Sequence, residues 1–354
     1  MARVLMKGNE AIGEAAIAAG CRYFFGYPIT PQNEVPEYLS KRLPEVGGVF
    51  VQAESELAAI SMVYGASGCG ARAMTSSSGP GLSLKQEGMS TIAGAEVPAL
   101  VVNMMRGGPG VGSIQASQAD YFQSTRNGGH GDYRVLSYAP ASVQEACDLI
   151  AVAFDRAEKY RMLCMIVGDG MLGQMMEPVD IKPVKIENYD KSWAMSPDPK
   201  GPLETRIVNS VYNSPDQLQV LIQRLLDKYR VVEANETRWE EYCMDDPEYV
   251  LVSYGTVSRI CKNAIQKLKE KGVRVGLIRP ITLWPFPSKP IEAAVARPGV
   301  KSFVAVEMSA GQMREDVVMA VGKRKPVELC NTLGSVVPTA DLIADFVMAL
   351  KGRK

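Results

Sequence analysis

Short apolar runs alternate along the chain with longer segments in which apolar residues recur at helical spacing. Helical segments in the first half include EAIGEAAIAAG, ELAAISMVYGAS and SVQEACDLIAVAFDRAEKY, and strand-like runs lie between them: RYFFGYP, VFVQAE, ARAMTSS, ALVVNMM, RVLSYA and LCMIVGD. Glycine and proline stand at most junctions, as strand-to-helix turns require. This alternation predicts an α/β fold, with helices on both faces of a parallel sheet.

The alternation stops after residue 190, where proline and charge increase before one long helical segment, and a second α/β pattern begins near residue 245. We predict a domain at 1–190, a linker and helical insert at 191–244, and a domain at 245–354. The insert helix is expected over 214–242, with one buried face. The apolar residues that define this face are Leu218, Val220, Leu221, Leu225 and Leu226.

Composition limits the classes of function. Lysine plus arginine and aspartate plus glutamate each total 39, so the chain has no excess charge with which to bind nucleic acid or an anionic membrane. No apolar run approaches the ~20 residues that cross a bilayer, and no signal peptide is recognised, so we expect a cytoplasmic protein. The seven cysteines are scattered, which argues against a disulfide framework, a zinc site or an iron–sulfur cluster in this chain.

Two polar loops follow predicted strands, at the edge of the sheet where open α/β folds bind ligands. In Gly26-Tyr27-Pro28-Ile29-Thr30-Pro31 we expect Thr30 at a helix start, with Pro31 as the first helical residue. Thr30 is then either an ordinary N-cap or a fixed hydroxyl beside a ligand. In Thr75-Ser76-Ser77-Ser78-Gly79-Pro80-Gly81, hydroxyls and free N–H groups suit an anion or a polar ring, although a solvated turn has the same composition.

Charged residues stand in three further loops. Glu54 and Glu56 lie between a strand and an apolar helix, where they either favour the helix dipole or, if buried, share a proton with a ring nitrogen. Arg106, followed by Gly107-Gly108-Pro109-Gly110, either presents its planar fork to a carboxylate or is an ordinary surface arginine. His130, in Gly128-Gly129-His130-Gly131-Asp132, is the only histidine, which excludes a site with several histidine ligands.

Taken in this order, the loops resemble the α subunit of 2-oxoacid:ferredoxin oxidoreductases, most closely the 2-oxoisovalerate (branched-chain) type and next the 2-oxoglutarate type. The resemblance runs to about Glu177 and resumes over Tyr249–Leu350, where RPITLWPFP (279–287) and VEMSAGQ (306–312) look like a transketolase C-terminal-type domain. It implies a thiamine-diphosphate-binding fold, with a pyrimidine-type domain at 1–190 and a transketolase C-terminal-like α/β domain at 245–354.

The resemblance also implies residue roles. Thiamine diphosphate would lie between this chain, which would bind no metal, and a β subunit that holds the diphosphate and Mg²⁺. Glu56, directly followed by Leu-Ala-Ala, matches the family's cofactor glutamate and would hydrogen-bond to the pyrimidine ring. Thr30 would contact the 2-oxo or carboxylate oxygen of the substrate, and Arg106 would contact its carboxylate. The residues expected at the cofactor, besides Glu56, are Tyr27, Pro28, Ile29, Thr30, Ser77, Ser78 and Gly79.

Gly168-Asp169-Gly170 is similar to the metal–diphosphate motif of thiamine enzymes, but neither Asn188 nor Asn209 has the spacing that would complete it. The missing asparagine fits a chain that supplies only the pyrimidine side. The resemblance further implies oxidative decarboxylation of a 2-oxoacid to acyl-CoA and CO₂, with coenzyme A as co-substrate. Electrons would pass through [4Fe–4S] clusters on partner chains to ferredoxin, in a complex with β, γ and ferredoxin-like δ subunits.

Two other classes of function agree less well with this sequence. A non-catalytic scaffold subunit would have no use for Glu56, and a nicotinamide-dependent dehydrogenase is disfavoured because no GxGxxG follows a strand in the right register. The substrate stays open between the two types. Branched-chain acids need an apolar pocket, whereas 2-oxoglutarate needs a second cation, for which Arg126 and Arg134 are candidates.

Overall fold

The computed structural model describes residues 3–195 and 206–352. The helices of these residues are α1 (Gly8–Ala18), α2 (Glu34–Glu45), α3 (Glu56–Gly68), α4 (Gly79–Gly94), α5 (Tyr121–Thr125), α6 (Val143–Tyr160), α7 (Gly170–Gln174), α8 (Pro215–Glu236), α9 (Gly255–Glu270), α10 (Ser288–Val295), α11 (Gln312–Val321) and α12 (Ala340–Gly352). The strands are β1 (Val4–Lys7), β2 (Tyr23–Gly26), β3 (Val49–Gln52), β4 (Ala73–Ser77), β5 (Ala99–Gly107), β6 (Ser113–Ala116), β7 (Leu136–Tyr138), β8 (Leu163–Asp169), β9 (Met176–Val179), β10 (Trp239–Tyr242), β11 (Tyr249–Val252), β12 (Val275–Pro280), β13 (Thr282–Trp284), β14 (Ser302–Glu307) and β15 (Val327–Asn331).

The first half of the chain forms a mainly parallel sheet with the strand order β13-β7-β8-β5-β4-β2-β3. Successive residues of β5 point to opposite faces, so Val101 and Val102 belong to different apolar cores. Helices α1, α2 and α6 pack together on one face, and α3 and α4 pack together on the other. This arrangement confirms the predicted parallel sheet with helices on both faces.

The second half forms a five-stranded sheet in the order β10-β12-β11-β14-β15, in which only β10 is antiparallel to its neighbour. Strand β13 follows β12 in the chain but pairs with β7 of the first sheet, with Thr282 opposite Tyr138. Just before it, buried Arg279 forms a two-pronged ion pair with Glu145 of α6, at 2.7 and 2.9 Å. The segment 279–287 therefore ties the two sheets together.

The predicted insert helix is shorter than expected. Helix α8 begins after Ser214, whose hydroxyl accepts from the Gln217 N–H at 3.3 Å, and Trp239–Tyr242 is strand β10. Leu218, Val220 and Leu226 are exposed, so the predicted buried face is wrong for these residues. The face that packs against the domain instead follows the stripe of Leu221, Leu225, Tyr229, Val232 and Glu236.

The domain boundaries near residues 190 and 245 stay predictions. Residues 196–205, which fall in the predicted insert at 191–244, lie outside the described residues. Strand β10, also in that segment, pairs with β12 and so adds an edge to the second sheet. Within the described ranges, no helix is long and apolar enough to span a membrane.

Candidate active site

The polar loops meet around the first turn of α4. A Cβ atom at Gly81 would lie 2.5 Å from both the Glu56 Oε1 and Ser77 Oγ atoms, and 3.1 Å from the Ile29 Cδ1 atom. Real Cβ atoms essentially never come this close to their neighbours, so a side chain at this position would displace the Glu56 carboxylate and the Ser77 hydroxyl. Its missing side chain allows a carboxylate, a hydroxyl and an apolar side chain from three different loops to converge.

Glu56 is the first residue of α3. The Ser55 hydroxyl caps this helix by accepting from the Ala58 N–H at 3.2 Å, and the positive end of the helix dipole favours a carboxylate at this position. Only 6% of Glu56 is exposed to solvent, whereas Glu54, two residues earlier, is exposed. Glu56 is therefore the glutamate of this loop that faces the interior.

Three buried hydroxyl side chains lie at the end of β4 and at the start of α4. The Thr75 and Ser77 side chains share one face of the strand, and Ser78 precedes the first residue of α4. Their hydroxyl oxygens are buried and have no hydrogen-bond partner in the described part of the chain. A buried hydroxyl without a partner costs ~1–3 kcal/mol, so this cluster is better satisfied with a polar ligand bound than without one.

Arg106 lies at the end of β5, 7% exposed, with its side chain against Gly79. Its Nη1 atom donates to the Thr30 carbonyl at 2.8 Å and its Nη2 atom donates to the Val111 carbonyl at 2.9 Å. The Nε atom is buried and has no hydrogen-bond partner among the described residues. The guanidinium thus fixes two loops, and Nε is the buried donor that it leaves to a ligand.

The prediction that Pro31 opens a helix is wrong. A turn closed by the Gln32 N–H and the Ile29 carbonyl, at 3.1 Å, occupies this segment, and α2 begins only at Glu34. The Thr30 hydroxyl accepts from the Asn33 side chain at 3.4 Å. Thr30 is therefore a half-buried turn residue beside Arg106 and does not cap α2.

Tyr27 and Pro28 occupy the outer part of the same loop and are exposed. The side chain of the next residue, Ile29, lies beside Gly81 and Glu56, and the Arg106 side chain packs against Gly79. The structure therefore brings together Glu56, Ile29, Thr30, Ser77, Ser78, Gly79 and Arg106 around the start of α4, and leaves Tyr27 and Pro28 at its rim.

Sequence reasoning missed two polar residues beside this cluster. The Asn103 amide on β5 donates to the Asp120 carboxylate at 3.4 Å, and Asp120 also accepts from the Gly79 N–H. Burial raises the pKa of Asp120. Asn103 stood out as the one polar residue within ALVVNMM, but no local pattern marked Asp120, whose position depends on contacts distant in sequence.

Lys85 was also missed. It lies one helical turn after Gly81 on α4, is fully buried, and donates from Nζ to the main-chain oxygen of Glu56 at 3.3 Å. Burial lowers the pKa of Lys85 to about 8, and attraction to Glu56 opposes part of this shift. The sequence signal that could have identified it is the spacing of four residues between Gly81 and Lys85 in GPGLSLKQEG, which places both residues on one face of a helix.

Asp169, in the motif similar to metal–diphosphate sites, is occupied by structural contacts. Its Oδ1 atom caps α7 by accepting from the Leu172 N–H at 3.0 Å. Its Oδ2 atom accepts from the hydroxyl of Thr256, which lies at the start of α9. Burial raises the pKa of Asp169. In residues 3–195 and 206–352, no group of three or more His, Cys, Asp or Glu side chains is arranged to hold a metal ion.

The remaining candidates lie elsewhere on the surface. His130 is exposed, and its main-chain oxygen accepts from the Ser90 hydroxyl at 2.5 Å. Arg126 pairs with Asp316 at 3.0 Å, and with exposed Arg134 it lines a separate cleft of about 790 Å³. The hydrogen bonds and ion pairs of the described chain do not link either arginine to the Glu56 cluster.

Comparison with known proteins identifies the family. The family model described as "Pyruvate flavodoxin/ferredoxin oxidoreductase, thiamine diP-bdg" matches residues 14–233, and "Pyruvate:ferredoxin oxidoreductase core domain II" matches residues 247–343. The chain belongs to this family of 2-oxoacid:ferredoxin oxidoreductases, whose matching domain binds thiamine diphosphate. It is an oxidoreductase subunit.

Two relatives are similar over nearly their whole length. The ketoisovalerate oxidoreductase subunit VorB of Methanothermobacter marburgensis is 50% identical over 337 residues, which cover 94% of each chain. The 2-oxoglutarate synthase subunit KorA of Methanocaldococcus jannaschii is 38% identical over 352 residues, which cover 93% of this chain and 94% of KorA.

Solved structures share the fold. The 2-oxoglutarate:ferredoxin oxidoreductase from Magnetococcus marinus, with 2-oxoglutarate, coenzyme A and succinyl-CoA bound, aligns with a TM-score of 0.87 at 26% identity. The alignment covers 98% of this chain, which spans 65% of that longer chain. A split-gene transketolase aligns with a TM-score of 0.59 at 12% identity over 97% of both chains. This chain and that transketolase therefore share the same overall fold.

The clustered residues fit the pyrimidine end of thiamine diphosphate. An aminopyrimidine needs a carboxylate for its ring nitrogen, polar partners for its edge and apolar contact for its face. Glu56 provides the carboxylate, Ser77 and Ser78 provide hydroxyls that lack partners in the described chain, and Ile29 provides an apolar side chain. The chemistry of this donor set therefore matches the cofactor of the family.

Proposed function

We propose that this chain holds the pyrimidine end of thiamine diphosphate in a complex that oxidises 2-oxoisovalerate. The observation that carries the proposal is the convergence of the Glu56 carboxylate and the Ser77 hydroxyl on the side-chain-free position of Gly81. The products would be the branched acyl-CoA and CO₂, with two electrons passed to ferredoxin. The similarity to a ketoisovalerate oxidoreductase subunit supports this choice of reaction.

When bound, thiamine diphosphate supplies the electron sink on which a 2-oxoacid loses CO₂. Glu56 would share a proton with the pyrimidine ring nitrogen, and its burial keeps water from competing for that contact. Ser77 and Ser78 would hydrogen-bond to polar atoms of the ring. Arg106 would hold the loop of Thr30 in place and offer its Nε–H to a substrate oxygen.

The partners of the proposed complex are a β subunit that holds the diphosphate and Mg²⁺, a γ subunit, and a ferredoxin-like δ subunit with [4Fe–4S] clusters. Coenzyme A would be the acyl acceptor, and the complex would work in the cytoplasm. The similar proteins VorB and KorA are each named as one subunit of an oxidoreductase or synthase, which supports a hetero-oligomer.

The greater similarity to VorB than to KorA supports a branched-chain substrate over 2-oxoglutarate. Arg126, one candidate for a second cation, is paired with Asp316 in another cleft. A second carboxylate on the substrate would need a free cation, and neither Arg126 nor exposed Arg134 is bonded to the cluster in the described chain. 2-Oxoglutarate remains the alternative substrate, supported by the likeness to KorA.

The test is anaerobic viologen reduction by the co-purified complex with thiamine diphosphate and coenzyme A. A panel of 2-oxoisovalerate, 2-oxoglutarate, pyruvate and an aryl pyruvate would be supplied to wild type, Glu56→Ala and Glu54→Ala. We expect 2-oxoisovalerate to be preferred, Glu56→Ala to abolish the reaction, and the exposed Glu54 control to retain it. Equal activity of wild type and Glu56→Ala would reassign this chain to a scaffold role.

A further inference from the structure

Lys85 is a buried cation beside the glutamate that the proposed function places at the cofactor. Its side chain is fully buried, and its Nζ atom donates to the main-chain oxygen of Glu56 at 3.3 Å. A buried ammonium is costly unless it is hydrogen-bonded and paired with an opposite charge. Glu56 provides both compensations, because its main-chain oxygen accepts from Nζ and its carboxylate is the charge that acts on Lys85.

Helix α4 contacts Glu56 through two of its residues. Gly81 and Lys85 are four residues apart and so lie on one face of the helix. Gly81 allows the Glu56 carboxylate to approach α4, and Lys85 holds the main-chain oxygen of the same residue. The start of α3 is thereby fixed against α4 at both its side chain and its backbone.

The charge that acts on Lys85 is that of the Glu56 carboxylate. Helix α4 also packs against β5 and β8, whose charged residues near their carboxyl ends are Arg106 and Asp169. Arg106 bonds to the Thr30 and Val111 carbonyls, and Asp169 is bound by the Leu172 N–H and the Thr256 hydroxyl. Asp120, the buried carboxylate that accepts from the Gly79 N–H at the start of α4, is acted on by the charge of Arg106. The Glu56 carboxylate is therefore the opposite charge that acts on the buried Lys85 ammonium, although within the described residues the direct contact of Nζ is with the Glu56 main-chain oxygen.

We propose that Lys85 is a positioning residue that fixes the Glu56 carboxylate for the pyrimidine ring and balances its charge. This inference rests on the proposed function, since it assigns Lys85 a role towards the cofactor through Glu56. Without Lys85, the first turn of α3 loses a side-chain anchor and the carboxylate loses its neighbouring cation. Thiamine diphosphate should then bind more weakly, and the protonation of its ring should change.

The test compares wild-type complex with Lys85→Met and Lys228→Met complexes. Methionine keeps the unbranched shape and removes the charge. Lys228 on α8 is the control because it is also largely buried and lies beside a buried glutamate, Glu96, with which it forms an ion pair at 2.6 Å. Cofactor-depleted complexes would be titrated with thiamine diphosphate and Mg²⁺ by calorimetry, and the near-ultraviolet circular dichroism of the bound aminopyrimidine would be recorded.

We expect Lys85→Met to weaken thiamine diphosphate binding about tenfold, as the loss of an adjacent opposite charge predicts, and to alter the circular-dichroism band. Lys228→Met should match wild type in both readouts. Wild-type values for Lys85→Met, or equal changes in the two variants, would overturn the inference while leaving the proposed function intact. A wild-type complex that does not bind thiamine diphosphate would instead overturn the proposed function.

A double variant decides the case in which Lys85→Met does not assemble. Unpaired buried charge would then be the cause, and Glu56→Gln/Lys85→Met, which removes both charges, should restore assembly. Recovery of the complex by the double variant would support the pairing of the two residues. Failure of the double variant, together with normal assembly of Glu56→Gln, would overturn it.

Discussion

Arg106 Nη1 donates a hydrogen bond to the main-chain oxygen of Thr30 across 2.8 Å, and this contact joins the loop after β2 to the end of β5. The strands β2 and β5 are separated by β4 in the sheet, so the arginine bridges over the serine-rich start of α4. The loops around the site are therefore held by the Arg106 side chain as well as by the strands from which they emerge.

Gly81→Ala should abolish most of the activity of the complex. The added methyl group would come within 2.5 Å of the Glu56 and Ser77 side chains and force both away from their positions. A misplacement of about 1 Å at a catalytic group can cost ~100-fold in rate, and we expect a loss of this size in viologen reduction. Gly65→Ala in α3 is the control, since that Cβ meets open space. A fully active Gly81→Ala complex would contradict the assignment.

Arg106→Lys should weaken binding of the 2-oxoacid. A lysine cannot hold the Thr30 and Val111 carbonyls together while presenting a third donor in the plane that Nε occupies. We expect the KM for 2-oxoisovalerate to rise ~10-fold or more, which corresponds to one lost hydrogen bond to a charged group. Arg134→Lys, an exchange at an exposed position, is the control. An unchanged KM would place the substrate carboxylate elsewhere.

Lys85 should make stability depend on pH in the alkaline range. Burial lowers its pKa from 10.5 to about 8 in the folded chain, so between these values the unfolded chain binds more protons. Stability from this group is then lost as pH falls from 10.5 towards 8 and regained as pH rises. The free energy of unfolding of wild type relative to Lys85→Met should increase by roughly 3 kcal/mol across this window.

The measurement for Lys85 is urea unfolding of the full chain at several pH values. Subtracting the variant from wild type at each pH cancels the groups that both proteins share. Lys41→Met, which removes an exposed lysine, should follow wild type throughout. A difference between wild type and Lys85→Met that stays constant with pH would show that Lys85 is not buried as an ammonium.

Asp316→Ala should destabilise the chain more than an exposed aspartate does. Asp316 on α11 accepts from the buried Tyr121 hydroxyl at 2.5 Å and from Arg126 at 3.0 Å, so its loss leaves a buried hydroxyl without its acceptor. We expect a loss of ~1–3 kcal/mol in the free energy of unfolding. Asp341→Ala removes the exposed pair with Lys267 and should cost about 1 kcal/mol or less. Equal losses would contradict this account.

Much of the architecture was predictable because the strands of a sheet covered on both faces are almost continuously apolar. The runs around Val101 and Ile166 identify β5 and β8 without ambiguity, and glycines mark their ends. Strands β10 and β13 escaped prediction because WEEY and TLW are not apolar runs of the kind that marks a buried strand, and each is a strand only through its pairing with β12 or β7. The face of α8 was misjudged because leucines lie on both sides of that helix.

The candidate site was predictable as a set of loops but not as a geometry. The order of the loops that carry Thr30, Glu56, Ser77 and Arg106 suggested the site through its resemblance to the family, and each loop follows a strand at the sheet edge where ligands bind. The requirement for Gly81, the burial of Lys85 and the contact of Asp120 with the Gly79 N–H arise from residues far apart in the chain. Such contacts leave no local pattern from which to infer them.

Strand β13 has a consequence for how this protein can be divided or recombined. It belongs to the second half of the chain, yet it shields the β7 side of the first sheet, where uncovered N–H and C=O groups would otherwise invite aggregation. Arg279 and Glu145 fasten the same junction. A chimera that joins the first half to the second half of another protein would therefore expose β7 as an unpaired, aggregation-prone edge strand. Such a chimera should keep residues 279–284 of this chain together with the first half.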